Sequence, residues 1–153
     1  MIYGYIKPNM VSESFNNIED SFLNEATLTG VNEPKNLYEY LKKTYKPSDF
    51  ENLTEESIQN DIKSKRKINL QKEWIQYTTE WINDENDPEG SKVFRSKIKR
   101  MEKLKIVMIW DDGGGTELGY DLNSKKIYCF DHDYGFINSS ITMKQAVSLS
   151  VVS

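Results

Sequence analysis

The chain has 153 residues, of which 37% are apolar and 29% charged, with a formal net charge of −4. That length suits one domain with its own core, and three Trp, nine Tyr and six Phe exclude a disordered chain. A single cysteine excludes an internal disulfide, and the longest apolar run, Ile106–Trp110, is far too short to span a bilayer.

Lys7 and Pro8 stand where a secretory leader needs apolar residues, so a cytoplasmic protein without a membrane partner is expected. In chain order, Ile2-Tyr3-Gly4-Tyr5-Ile6 alternates as a short strand stopped by Pro8. Ser14 is placed to cap a helix carrying Phe15, Ile18, Phe22 and Ala26 at helical spacing, closed by Gly30. Pro34 opens a second helix with Leu37, Tyr38, Leu41 and Tyr45 on one side, and Pro47 ends it. Thr54 starts a third, with Glu55 and Glu56 in the first turn and Lys63, Lys65, Arg66 and Lys67 at the far end, as the helix dipole favours.

Leu70, Trp74, Tyr77 and Trp81 mark a strong helix, and the acidic, turn-rich stretch Asn83–Gly90 reads as a loop. A basic helix follows, with Phe94, Ile98 and Met101 on one side and Lys92, Arg95, Lys97, Lys99, Arg100 and Lys103 on the others. Ile106–Trp110, Thr116–Leu122 and Lys126–Phe130 are then three strands joined by short turns, which predicts an antiparallel meander. In the third strand Ile127, Cys129 and Asp131 face one way, Tyr128 and Phe130 the other. From Ile141 to Val152 the chain reads as a helix capped by Thr142 or as a last strand through Val151-Val152. The expectation is one α+β domain over 1–153, with a helical part at about 14–105 and a sheet part at about 106–140.

The charge is unevenly spread: net −5 over residues 1–60, +4 over 61–105 and −3 over 106–153. The basic middle raises nucleic-acid binding, although the acidic balance of the whole chain weighs against it.

Asp111-Asp112-Gly113-Gly114-Gly115 carries glycines that would let backbone amides approach a phosphate, but its carboxylates repel one and no Walker lysine follows. Gly113, Gly114 and Gly115 read instead as a structural turn needing positive φ. Asp131, Asp133 and Gly135 match a calcium loop poorly, because glycine falls fifth and Thr142 twelfth. Cys129 and His132 lie three apart on a strand and face opposite sides, which works against a nucleophile–base pair. No catalytic residue, cofactor or metal is assigned, so a binding surface is the expectation. A small metal-dependent hydrolase built on Asp111, Asp112, Asp131 and Asp133 is the competing chemical reading.

An apolar strand running into an acidic residue and Gly-Gly-Gly (Ile109 to Gly115) is followed by Asp121-Leu122, Ile127-Tyr128 and Phe130-Asp131-His132. In order and spacing this series resembles the SUKH superfamily, mainly over residues 106–133. Upstream the chain departs from the family's Leu-Pro-x-x-Tyr, with Glu33-Pro34-Lys35-Asn36-Leu37-Tyr38 in its place and no glycine pair after Tyr45. The resemblance implies helices against a mostly antiparallel sheet. It also implies a bacterial immunity protein that neutralises a cognate polymorphic toxin by stoichiometric binding, or a regulator acting through partner binding. If the toxin is a nuclease, Asp111, Asp112, Glu117, Asp131 and Asp133 are the candidate contacts, as carboxylates facing a basic site, with Trp110 and Tyr134 as anchors if exposed. A regulatory or nucleic-acid-associated module using the basic segment 61–105 is the alternative.

Overall fold

A computed structural model describes residues 32–84 and 88–152. The expected strand at 2–6 and helix at 15–26 lie outside these residues. Five α-helices and a four-stranded antiparallel sheet are described, in an α+β arrangement with four of the helices preceding the sheet.

Helix α1 spans Leu37–Thr44 and starts three residues after Pro34, because the Asn36 side chain accepts from the Glu39 N–H and caps it. Pro47 does more than end a helix. It opens a 3₁₀ turn, Pro47–Phe50, whose Phe50 is buried. Thr54 caps α2 (Glu55–Ser64) through a reciprocal box with Ser57, and Lys65 closes it in the left-handed conformation at φ 57°.

Helix α3 (Leu70–Asp84) takes in Asn83 and Asp84 of the expected Asn83–Gly90 loop, and helix α4 (Pro88–Met101) takes in Pro88, Glu89 and Gly90; the rest of that loop lies outside the described residues. The buried face of α3 uses Leu70, Gln71, Trp74 and Thr78, not Tyr77, which is 47% exposed. Thr78 can be buried because its hydroxyl donates to the Trp74 carbonyl at 2.6 Å.

Strands β1 (Ile106–Asp111), β2 (Glu117–Asp121), β3 (Ile127–Asp131) and β4 (Gly135–Ile141) lie side by side in chain order. The expected meander is therefore present, extended by β4. The tail forms helix α5 (Met143–Ser148) with Thr142 as its cap, and Val151 and Val152 are exposed.

Helices cover both faces of the sheet. Ile109, Trp110, Leu118, Tyr120, Ile127, Cys129, Ile137 and Ile141 pack with α1, the 3₁₀ turn, α2 and α5. Ile106, Met108, Tyr128, Phe130 and Phe136 pack with Leu70 and Trp74 of α3 and Met101 of α4. Two-sided cover explains why β1 and β3 read as continuous apolar runs instead of alternating. The facing predicted for β3 is observed, with Ile127 and Cys129 on the α1 side and Tyr128 and Phe130 on the α3 side.

Both sheet edges are partly closed. Along β1, the Met108 N–H donates to the Arg66 carbonyl and the Asn69 N–H to the Ile106 carbonyl. Along β4, the Asn138 N–H donates to Glu33 Oε2 at 2.7 Å, and Arg100 donates to the Asn138 carbonyl at 3.2 Å. Lys97, expected on the solvent face of α4, is buried beneath this edge. It pairs with Glu33 and donates to the Tyr134 carbonyl at 2.8 Å. Burial lowers its pKa, and the Glu33 carboxylate opposes that shift.

Gly119 in β2 has no room for a side chain, since a Cβ there would lie 2.1 Å from Ile106 Cγ2 and 3.3 Å from Phe130 Cε2. Gly119→Ala is expected to destabilise the fold by about 1–3 kcal/mol, read as a lower urea midpoint. Adding Ile106→Ala should recover part of the loss specific to the clash, and a double-mutant cycle that shows strict additivity would exclude this contact as its source.

Candidate functional site

The β1–β2 and β3–β4 turns lie at the same end of the sheet, with the glycine corner forming the first. Gly113 and Gly115 take φ of +76° and +104°, so the expected structural turn is present. Asp112 organises it. Its Oδ1 accepts from the Gly114 N–H at 2.7 Å and the Thr116 N–H at 3.0 Å. Its Oδ2 accepts from the Tyr45 hydroxyl at 2.7 Å. The carboxylate thus occupies amides that a phosphate cradle would have needed. Desolvation acts to raise the Asp112 pKa, but the hydrogen bonds from Tyr45, Gly114 and Thr116 outweigh it and hold the carboxyl below its usual value.

Asp131 does the same work at the β3–β4 turn. Its Oδ1 accepts from the Asp133 N–H at 2.8 Å and the Tyr134 N–H at 3.4 Å, while Oδ2 accepts from the Tyr40 hydroxyl at 2.7 Å. At 1% exposure it cannot meet a partner. Its role as a contact is therefore corrected: turn amides and a tyrosine draw the carboxylate inward. Burial, followed by the Asp131 charge and hydrogen bond, pushes the Tyr40 hydroxyl far above its ordinary pKa, so it stays a donor.

Trp110 is also removed from the list of surface anchors. It packs against Phe50 and Tyr45, with ring centroids at 4.8 and 5.2 Å, and its indole N–H donates to the Asp49 carbonyl at 3.0 Å. Glu117 is largely covered, accepting from the Trp74 indole at 2.8 Å and lying 3.6 Å from Lys67 Nζ. It fastens α3 to the sheet. Tyr134 is half-buried against Tyr40 in an edge-to-face contact.

Asp111, Asp112 and Asp133 are the predicted contact carboxylates that remain exposed. The Trp110–Asp49 bond brings the exposed Asp49 to the same end, a neighbour that spacing along the chain could not reveal. His132 is exposed, with Nδ1 2.9 Å from Thr116 Oγ1 and Nε2 3.5 Å from Asp133 Oδ1.

Among the described residues, Asp131, His132 and Asp133 bring ligand-type atoms within 4.8 Å of one another. Both Asp131 oxygens are already engaged, so this trio is a hydrogen-bonded turn, and Asp111 and Asp112 of the competing four-carboxylate reading do not join it within that distance. Cys129 is fully buried on the α1 face, and burial pushes its thiol well above the ordinary range, with Asp131 and Asp112 adding to the effect. No pairing with His132 forms.

Comparison with known proteins finds no matching family, no matching curated protein and no matching solved structure. No described helix is long and apolar enough to cross a membrane.

Two outcomes follow from these geometries. Asp112 favours its ionised form in the fold, so its stabilising contribution is present above the ordinary value of 3.8 and is lost as pH falls through the depressed one. Asp112→Asn keeps an acceptor for the turn amides but cannot titrate. Its unfolding free energy should therefore change less steeply than that of the parent between roughly pH 5 and pH 2, and equal slopes would assign the acid sensitivity to other carboxylates. Cys129 should resist a thiol reagent in the native protein and react at once after denaturation; fast native labelling would contradict its burial.

Proposed function

We propose that the protein is a SUKH-like inhibitor that neutralises a cognate toxin by stoichiometric binding, using the acidic end of its sheet against a basic surface such as a nuclease active site. The observation that carries this reading is the division of labour at the two turns. Asp112 and Asp131 hold the backbone, while Asp111 and Asp133 stand exposed beside them. Charges mounted on a fixed backbone lose little freedom on docking, and a field of one sign speeds encounter with a basic partner. The series from Ile109 to His132 supports the same reading through its resemblance to that superfamily.

The test partner is the carboxy-terminal domain of a large toxin-like protein, should the neighbouring gene encode one. A one-to-one complex should form, and it should abolish the toxin's activity. The pair Asp111→Lys and Asp133→Lys should slow association by about tenfold or more at low salt, and less at high salt. A charge-reversed variant that binds at the parental rate would show that docking occurs elsewhere. Failure to form any complex would remove the inhibitor reading itself.

A further inference from the structure

We infer that the protein carries a second binding surface, a basic track along α4 that holds the phosphate backbone of a nucleic acid. It is independent of the inhibitor reading. Lys92, Arg95 and Lys99 are exposed at positions i, i+3 and i+7 of α4 and so form one stripe, beside a shallow hollow lined by Pro88 and Ser96. Lys103 continues the line past the end of the helix.

Two hydrogen bonds carry the track onto the sheet. The Asn123 side chain donates to the Lys103 carbonyl at 3.3 Å, and the Leu122 N–H donates to the Lys105 carbonyl at 2.9 Å. These bonds bring the β2–β3 turn, with exposed Lys125 and Lys126, against the end of α4. That turn is at the opposite end of the sheet from Asp111 and Asp133.

The bases that serve the fold are separate from this line. Lys97 is buried with Glu33, and Arg100 donates to Asn138. Lys92, Arg95, Lys99, Lys103, Lys125 and Lys126 enter no ion pair among the described residues. Between Lys92 and Lys105 the only acidic residue is Glu102. The net charge of −4 therefore averages an acidic end with a basic track.

The kind of anion follows from what the track lacks. The track presents cations in a row with no apolar side chain exposed among them. Among the described residues the large apolar side chains that stand exposed are Tyr77, Val151 and Val152, none of which belongs to the stripe. A phosphate backbone needs no apolar anchor, only cations in a row. From Lys92 to the end of α4 at Met101 the helical rise is roughly 14 Å, the axial length of about four phosphates on one strand. Binding of that kind reads no sequence and is steeply salt-dependent.

Fluorescence anisotropy with the full chain and a short labelled DNA duplex tests the assignment. Binding should be measurable at about 50 mM salt and weaken roughly a hundredfold by 200 mM. Lys92→Glu, Arg95→Glu and Lys99→Glu together should abolish it, whereas Asp111→Lys should not weaken it. If the triple reversal fails to fold by circular dichroism, the corresponding glutamine variants should still lower the affinity and flatten the salt slope. No binding at low salt would overturn the assignment. So would affinity unchanged by the folded variants, or tighter binding to polyglutamate than to the duplex, which would mark the track as a dock for an acidic protein.

Discussion

A hairpin turn leaves backbone amides that no neighbouring strand can satisfy, and a short acidic side chain at the strand end can accept them and fix the turn. This protein meets that demand three times in one way. Asp112, Asp121 and Asp131 stand at or just beyond the ends of β1, β2 and β3, and each carboxylate accepts N–H groups from the turn that follows. Asp121, 1% exposed, also takes the Lys105 N–H at 2.8 Å, which joins the last turn after α4 to the sheet. With the turns held in this way, the register of the meander is set, and register decides which side chains each face presents.

The turn carboxylates also position the helices. Tyr40 and Tyr45 of the α1 segment donate to Asp131 and Asp112, while Trp74 of α3 donates to Glu117. The aromatic bodies fill the two cores as their polar tips reach the strand ends. Gln71 does comparable work on a smaller scale, accepting the Ile106 N–H at 2.9 Å. The helices on both faces are thus located by hydrogen bonds as well as by apolar packing.

Much of the fold was legible in the sequence because its signals are local. The caps at Thr54 and Thr142, the glycine corner and the β3 facing follow from short-range rules, and the structure shows each of them. Strand β4 carries no clear strand signal because Asn138-Ser139-Ser140 breaks its apolar pattern; the ladder absorbs the irregularity where Tyr128 pairs with Ser140 but Cys129 pairs with Ile137. Lys97 looked like a solvent-facing lysine because its partner, Glu33, lies far away along the chain. At the candidate site, local pattern showed that acidic residues cluster at the strand ends. Which of them hold the turns was not readable, since Tyr40 and Tyr45 come from another element and select Asp131 and Asp112 as their acceptors.

The pairing of turn-holding aspartates with exposed neighbours has a further consequence. Asp111 and Asp133 make no side-chain hydrogen bond that stabilises either turn among the described residues, whereas their neighbours Asp112 and Asp131 do. Replacing the exposed pair should leave the scaffold's melting behaviour nearly untouched. Natural variation at those two positions would then be almost free of folding cost, so the tip could change its charge and its choice of counterpart over generations while the framework beneath stayed the same.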